Sequence, residues 1–339
     1  MPILGQTATG TEPGLPREPR EIFAAATSLY NFSDAALKPW RLKATYQLYD
    51  EKGEPSEQGT YEYWWVSPHV YRSTWTRPGA THTDWHTADG KHAYLVTGGP
   101  LRFFEYKLQG ALLSPLPDSL DVDPAMARME RQTVSFGSIK LPCIMVIPLM
   151  PEHELLQTVP LGLFSTYCFD PQKPILRVNY SFGTVAMEFN KIVKVQNSYL
   201  PREILLFEGK RKILSAEVDT ITGLAPSDPA LTPAPEATVV GMEKVQISAG
   251  IAVGNLIKKQ IPIYPQDAKI AHVSGTVVLK ATIGVDGGIH DLRIVLAPWP
   301  SLAASALWAV SHWEYRPYLL NGKPVDVETT INVIFALER

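Results

Sequence analysis

Strict alternation of apolar and polar positions runs through most of this chain. Across residues 38–50, Trp40, Leu42, Ala44, Tyr46 and Leu48 share one face of an extended backbone, while Arg41, Lys43, Thr45 and Gln47 share the other. That is the period of a half-buried strand. The turn-forming run from Asp50 to Pro55 predicts a hairpin with residues 59–67, and further strands follow at 70–77, 81–87 and 91–97. Ser67-Pro68, Pro78-Gly79, Asp89-Gly90 and Gly98-Gly99-Pro100 punctuate them. Before residue 223 helical spacing is confined to three places. Ile22, Phe23, Ala26, Leu29 and Tyr30 predict a helix over 20–30 behind Pro19, and Leu101, Phe104, Leu108 and Leu112 predict one over 101–113. A second short helix is expected at 124–132. Strands resume at 133–147, 163–169, 175–180, 185–196, 199–208 and 212–222, giving a long antiparallel meander with one helix in front and helical insertions midway.

The pattern then breaks. Residues 223–240 hold Pro226, Pro229, Pro233 and Pro235 among small and polar residues, which predicts an extended, semi-rigid linker reaching roughly 50 Å at most. Beyond it Val277, Leu279, Ala281 and Ile283 alternate inward, and Asp286-Gly287-Gly288 supplies a tight hairpin turn. Residues 289–296 form the return strand. Ser301 is the expected cap of a helix whose stripe is Leu302, Ala306, Ala309, Val310 and Trp313, and Pro317 stops it. After the Asn321-Gly322 turn, a final strand places Thr329, Ile331, Val333, Phe335 and Leu337 on one face. The expected architecture is α+β throughout: a folded N-terminal β domain over 20–222 after an extended or disordered segment 1–19, a Pro-rich linker over 223–245, and a ββαβ domain over 246–339.

Composition narrows the function. A chain of 339 residues suits two domains, and a hydrophobic fraction of 45 % is enough for real cores. A formal net charge of -3 with scattered Lys and Arg argues against nucleic acid. No apolar run reaches the roughly 18–20 residues that span a bilayer. The start, residues 1–19, is polar and rich in Pro and Gly, without a signal-peptide core. No P-loop, nucleotide-binding glycine pattern, Gly-x-Ser-x-Gly elbow or His-Glu-x-x-His is present, so nothing points to an enzyme or to a cofactor. His82, Asp84 and His86 share a strand face about 7 Å apart. That set suits a metal, yet alternating polar residues more often mark a solvated sheet face, and no metal site is assigned. Five of the eight tryptophans, Trp40, Trp64, Trp65, Trp75 and Trp85, fall in the first four strands, where they either line a hollow or fill it. The two cysteines, Cys143 and Cys168, sit in strand-like stretches and admit one pairing or two buried thiols.

The order Pro262-Ile263-Tyr264-Pro265, Gly275-Thr276-Val277-Val278, Val285-Asp286-Gly287-Gly288, Trp313-Glu314-Tyr315-Arg316-Pro317, Asn321-Gly322-Lys323-Pro324-Val325 and a last apolar strand resembles the C-terminal domain of TonB-type energy transducers, over about 247–339. The resemblance implies a non-catalytic docking module. Its last strand, here 329–336 with Thr329, Ile331, Val333 and Phe335, pairs with an extended segment of an outer-membrane TonB-dependent transporter, and the region of Pro262, Tyr264 and Pro265 contacts the same partner. It also implies a periplasmic protein, exported by a signal or anchor not present in this chain. Coupling to an ExbB and ExbD type motor would need a membrane helix that this sequence lacks. In an exported protein the cysteine pair is expected as a disulfide, closing a loop of about 26 residues. The N-terminal pattern is similar to the lipoprotein-carrier fold of LolA, a curved half-open antiparallel sheet with lid helices. That likeness implies an alternative role: a carrier holding a lipid, lipoprotein or other apolar ligand against the tryptophans.

Overall fold

The alternating segments become one continuous ladder. The computed structural model describes residues 15–32, 34–117, 127–148, 161–162, 164–181, 185–240 and 244–337. The first unit begins with α1 (Pro19–Leu29) and continues through β1 (Trp40–Tyr49), β2 (Pro55–Ser67), β3 (Val70–Arg77), β4 (Ala80–His86), β5 (His92–Thr97) and α2 (Phe103–Leu113). It is completed by β6 (Ala127–Phe136), β7 (Ile139–Pro148), β8 (Thr166–Phe169), β9 (Leu176–Ser181), β10 (Val185–Val195), β11 (Ser198–Glu208) and β12 (Arg211–Gly223). With β13 (Thr238–Val240) these strands form a sheet ordered β13-β5-β4-β3-β2-β1-β12-β11-β10-β9-β8-β7-β6. β1 joins the two meanders, pairing with β2 on one side and β12 on the other.

Burial follows the alternation. Trp40, Leu42, Ala44, Tyr46 and Leu48 point into the main core with Ile22, Phe23 and Ala26 of α1 and Leu108 and Leu112 of α2. The β1–β2 turn is held by the Asp50 carboxylate, which accepts from Lys52 N–H at 2.8 Å and Glu54 N–H at 2.9 Å, and Gly53 takes a left-handed φ of 83°. At Gly59 an added Cβ would lie 2.3 Å from Tyr46 Cζ, so only glycine lets the Tyr46 hydroxyl reach the buried Glu105 carboxylate at 2.7 Å. Arg77 Nε lies 3.3 Å from the same carboxylate, so this charge is paired as burial requires.

Two expectations are corrected in this unit. Residues 127–132, expected as helix, form the start of β6, each residue paired with β7 from Ala127↔Pro148 onward; residues 124–126 lie outside the described part. Ala, Met, Arg, Glu and Gln are good helix formers, but pairing along a whole partner strand outweighs a few tenths of a kcal/mol of propensity per residue. The single strand expected over 133–147 is the hairpin of β6 and β7, folded at Gly137 with a φ of 59°.

The second unit contains β14 (Val245–Gln246), α3 (Ala249–Gly254), β15 (Leu256–Lys258), α4 (Gln266–Ile270), β16 (Gly275–Ile283), β17 (Ile289–Leu296) and α5 (Pro300–Val310). It ends with β18 (Glu314–Tyr315), β19 (Leu319–Leu320), β20 (Lys323–Pro324) and β21 (Val327–Phe335). Its main sheet is ordered β14-β21-β16-β17, and Leu302, Ala306, Leu307 and Val310 of α5 share a core with Val277, Leu279, Ala281, Ile331 and Val333. Trp299 occupies the N-cap position of α5 and Pro300 its first turn, so Ser301 sits inside the helix and not at its cap.

The segment expected as a free extended linker is instead laid against the first unit. Pro229–Leu231 forms a 3-10 turn, and the Ala230 carbonyl accepts from Trp85 Nε1 at 3.0 Å. β13 then pairs antiparallel with β5. Among the described residues no helix is long and apolar enough to cross a membrane.

Cys143 and Cys168 face each other across β7 and β8 and form a disulfide. They sit with Leu141 and Val178 in a small cluster apart from the main core. Cross-linking a separation of 25 residues contributes on the order of 3 kcal/mol by restricting the unfolded chain. Replacing both cysteines by alanine is expected to lower the unfolding free energy by about that amount, read as a shift of the denaturant midpoint with little change in slope. A loss under ~1 kcal/mol would mean that the bridge is mechanically idle.

Candidate functional site

The last strand is the natural place to look for a docking edge, because a flank without a neighbour leaves main-chain donors and acceptors open. β21 pairs with β16 along its whole length, Gly275↔Phe335 through Ile283↔Val327. On its other flank β14 runs parallel and covers only Val327 and Glu328. Val245 N–H donates to the Asp326 carbonyl and Ile247 N–H to the Glu328 carbonyl, both at 3.0 Å. N–H and C=O groups of residues two apart in a strand point the same way in the sheet plane. Those of Thr330, Asn332 and Ile334 therefore also point to this flank, where no described strand meets them.

Parity separates these three from the residues expected to bind a partner. The side chains of Thr329, Ile331, Val333 and Phe335 are buried on the α5 face, and their backbone groups turn toward β16. The four are core residues. Any strand added to the flank meets the backbone of Thr330, Asn332 and Ile334. Of the region before α4, Tyr264 packs edge-on against Phe335, with ring centroids 5.4 Å apart, and its hydroxyl donates to the Val273 carbonyl. Pro265 is the N-cap of α4, and Pro262 is half-buried. Beside them stand isoleucines that the sequence reading passed over. Ile261 and Ile334 are 74 % exposed, Ile263 and Ile270 71 %. Apolar side chains at such exposure are a signal that sequence patterning alone does not give.

The five tryptophans divide by parity as well. Trp40, Trp65 and Trp75 lie in the main core, where Trp40 stacks on Trp65 and Trp75 packs on Tyr61. Trp64 and Trp85 lie outside that cluster, with the Arg72 guanidinium 4.3 Å and 5.4 Å from their ring centroids. All five are buried, and the concave interior is occupied by side chains.

Open space lies elsewhere. A cavity of about 290 Å³ sits where the two units meet, walled by Tyr71, Trp75, His86, His92 and Tyr106 on one side and by Lys244, His290 and Asp326 on the other. His82, Asp84 and His86, expected as a solvated face, line it instead. Tyr71 stacks on His86 and His86 on His92, at centroid distances of 4.2 Å and 4.8 Å. Burial, then the neighbouring His92, pulls His86 down to about 4. Burial acts in the same sense on His92, but the Asp84 carboxylate at 3.0 Å outweighs it and raises that imidazole.

The junction itself is held by Asp286, expected only as a turn residue. It does serve the turn, accepting from Gly288 N–H at 2.9 Å. It also reaches across the boundary: Leu101 N–H donates to Oδ2 at 2.9 Å, and His82 Nδ1 lies 3.5 Å away. His290 Nε2 lies 2.9 Å from Oδ1, and its ring stacks on Tyr106 of α2 at 4.1 Å. Burial alone would raise the Asp286 carboxyl, but His290 and His82 hold it below the usual carboxylate range. Burial would lower His290, and Asp286 reverses that. Phe103 of α2 completes the contact by entering the core of the second unit.

Removing one partner of a buried pair leaves the other uncompensated, so Asp286→Asn is expected to cost about 3 kcal/mol in chemical denaturation. The depressed Asp286 contributes stability above its ordinary pKa of about 4, lost as pH falls through the folded value. The raised His290 contributes fully below about 6.5 and is lost as pH rises through its folded value. The gap between wild type and Asp286→Asn should therefore be widest between about pH 4 and 6.5 and narrow as pH rises above 6.5 through the folded value of His290. A gap that widens on the alkaline side would show that no charged His290–Asp286 pair holds the units together.

Comparison with known proteins bears on the second unit. Residues 260–337 match the family described as Gram-negative bacterial TonB protein C-terminal. Among solved structures, a LolA superfamily protein from Nitrosomonas europaea is similar at 8 % identity and a TM-score of 0.33, over 63 % of this chain and 97 % of that one. A DUF1329 family protein from Desulfovibrio piger is similar at 9 % identity and a TM-score of 0.34, over 56 % of this chain and 86 % of that one. No curated protein matches the sequence. The last strand, its open flank and its covering helix thus lie within the residues that match the TonB C-terminal family, and in this chain they follow a large antiparallel sheet.

Proposed function

We propose that this protein is a periplasmic TonB-family docking protein, whose second unit receives an extended segment of an outer-membrane transporter as an added strand on β21. One observation carries the reading: the strand that the family resemblance singles out has an open flank from Thr329 to Phe335, while its other flank is fully paired. Strand addition satisfies main-chain groups almost independently of the partner's side chains, so it suits a module that meets several transporters. The exposed isoleucines supply the apolar contact beside it. The first unit, with its interior occupied by aromatic rings, serves in this reading as the body against which the docking unit is braced through Asp286.

The test follows from strand parity. Asn332→Pro removes an N–H that faces the open flank and leaves the β16 ladder intact, a placement that edge strands tolerate. Val333→Pro would break the β16 ladder and unfold the unit, so it is no test of docking. With a synthetic peptide from the N-terminal periplasmic segment of an outer-membrane transporter of the same organism, Asn332→Pro should keep its thermal midpoint within a few degrees. It should bind about tenfold more weakly by fluorescence anisotropy, a loss of ~1.4 kcal/mol. Unchanged affinity would rule out pairing at this flank.

A further inference from the structure

The open flank of β21 is not open along its whole length, and the segment that covers its near end is also tied to the other unit. β13 and β14 are the two short strands between the large sheet and α3. β13 pairs with β5, Thr238↔Tyr94 through Val240↔His92. β14 pairs with β21, Val245↔Val327 and Gln246↔Glu328. The same stretch thus extends the edge of each sheet in turn. Side chains add to the attachment. The Gln246 amide donates to the Glu328 carboxylate, which Lys280 also holds at 2.8 Å. Lys323 Nζ, in the strand before β21, donates to the Val239 carbonyl at 3.1 Å.

We propose that β14 is a built-in competitor for the docking edge: a partner strand that pairs with the full length of β21 must displace Val245 to Ile247. The inference rests on the docking reading and adds its regulation. Without displacement a partner finds only the backbone groups of Thr330, Asn332 and Ile334. Recovering Glu328 lengthens the usable edge by a further pair of main-chain bonds. What resists is limited: two backbone hydrogen bonds and one side-chain bond, each weak in net terms because water replaces it, together with the partial burial of Val245 and Ile247 against the second core. β14 lies at the rim, with Val245 half-buried and Gln246 exposed, so its release leaves the core of the second unit closed. Release also has a reach. β13 lies just upstream of β14, and Lys244 lines the cavity between the units. A strand arriving at β21 therefore acts on the edge of the large sheet and on the mouth of that cavity.

The experiment compares wild type with Val245→Pro/Ile247→Pro, which removes both donors to β21, using the same transporter peptide. The double variant is expected to bind about tenfold more tightly, as the loss of two net hydrogen bonds allows. Gln246→Ala, which removes only an exposed side chain's bond, is expected to bind two- to threefold more tightly and serves if the proline variant fails to fold. Equal affinity of all folded forms overturns the competition while leaving docking at β21 standing. No binding by any form, with every variant folded, overturns the docking reading and the competition with it.

Discussion

Backbone groups at strand flanks must find partners, and the arrangement of this protein follows from how each flank finds one. A ladder of antiparallel strands satisfies its own interior, so the demand concentrates at the edges. At β5 it is met by β13, a piece of the chain that composition marks as linker. At the near end of β21 it is met by β14. Along the rest of β21 it is not met by any described strand. The two short strands are thus edge caps, and the stretch they leave uncovered is the surface available for a partner.

The caps would mean little if the two units moved independently. Asp286 prevents that. Its carboxylate takes a main-chain N–H from Leu101 and an imidazole from each unit, His82 and His290. A buried charge with this many partners is costly to strip bare, whichever unit moves away. The aromatic stack of Tyr106 on His290 and the entry of Phe103 into the second core keep water from the carboxylate. The second unit is therefore joined to the large sheet by side chains fixed in place, as well as by the connecting chain.

How much of this the sequence discloses depends on which property is asked for. Face parity is written in the residues: the inward set of β1 and of β21 can be read from alternation, whereas the pairing of Cys143 with Cys168 is implied by the family resemblance and not by the strand pattern. In-plane direction is not. Whether Thr329 or Thr330 offers its N–H to a partner depends on which side β16 takes, a fact of topology that no local pattern holds. The parity rule would have divided Trp64 from Trp65, adjacent residues that must face opposite ways. Local chemistry misled at β6, where good helix formers extend because β7 is there to pair with. It understated Asp286, whose role in a Gly-rich turn is visible and whose reach to Leu101 is not. His82, Asp84 and His86 were recognisable as one face, but only the second unit's position turns that face from solvated surface into cavity wall.

In the docking reading proposed above, the direction in which β21 is held gives its open flank a mechanical sense. A strand added beside β21 and pulled along its own axis loads the interface in shear, so its hydrogen bonds resist together and do not open one after another. The same load then passes to β16 through a register that runs unbroken from Gly275↔Phe335 to Ile283↔Val327. From β16 it reaches β17 and the hairpin turn that holds Asp286. The turn that closes the hairpin is therefore also the point where the small sheet is tied to the large one. A carboxylate at this position, with imidazoles on either side and a main-chain donor across the boundary, resists displacement in several directions. A hydrophobic contact of similar area would allow sliding, because it is non-directional.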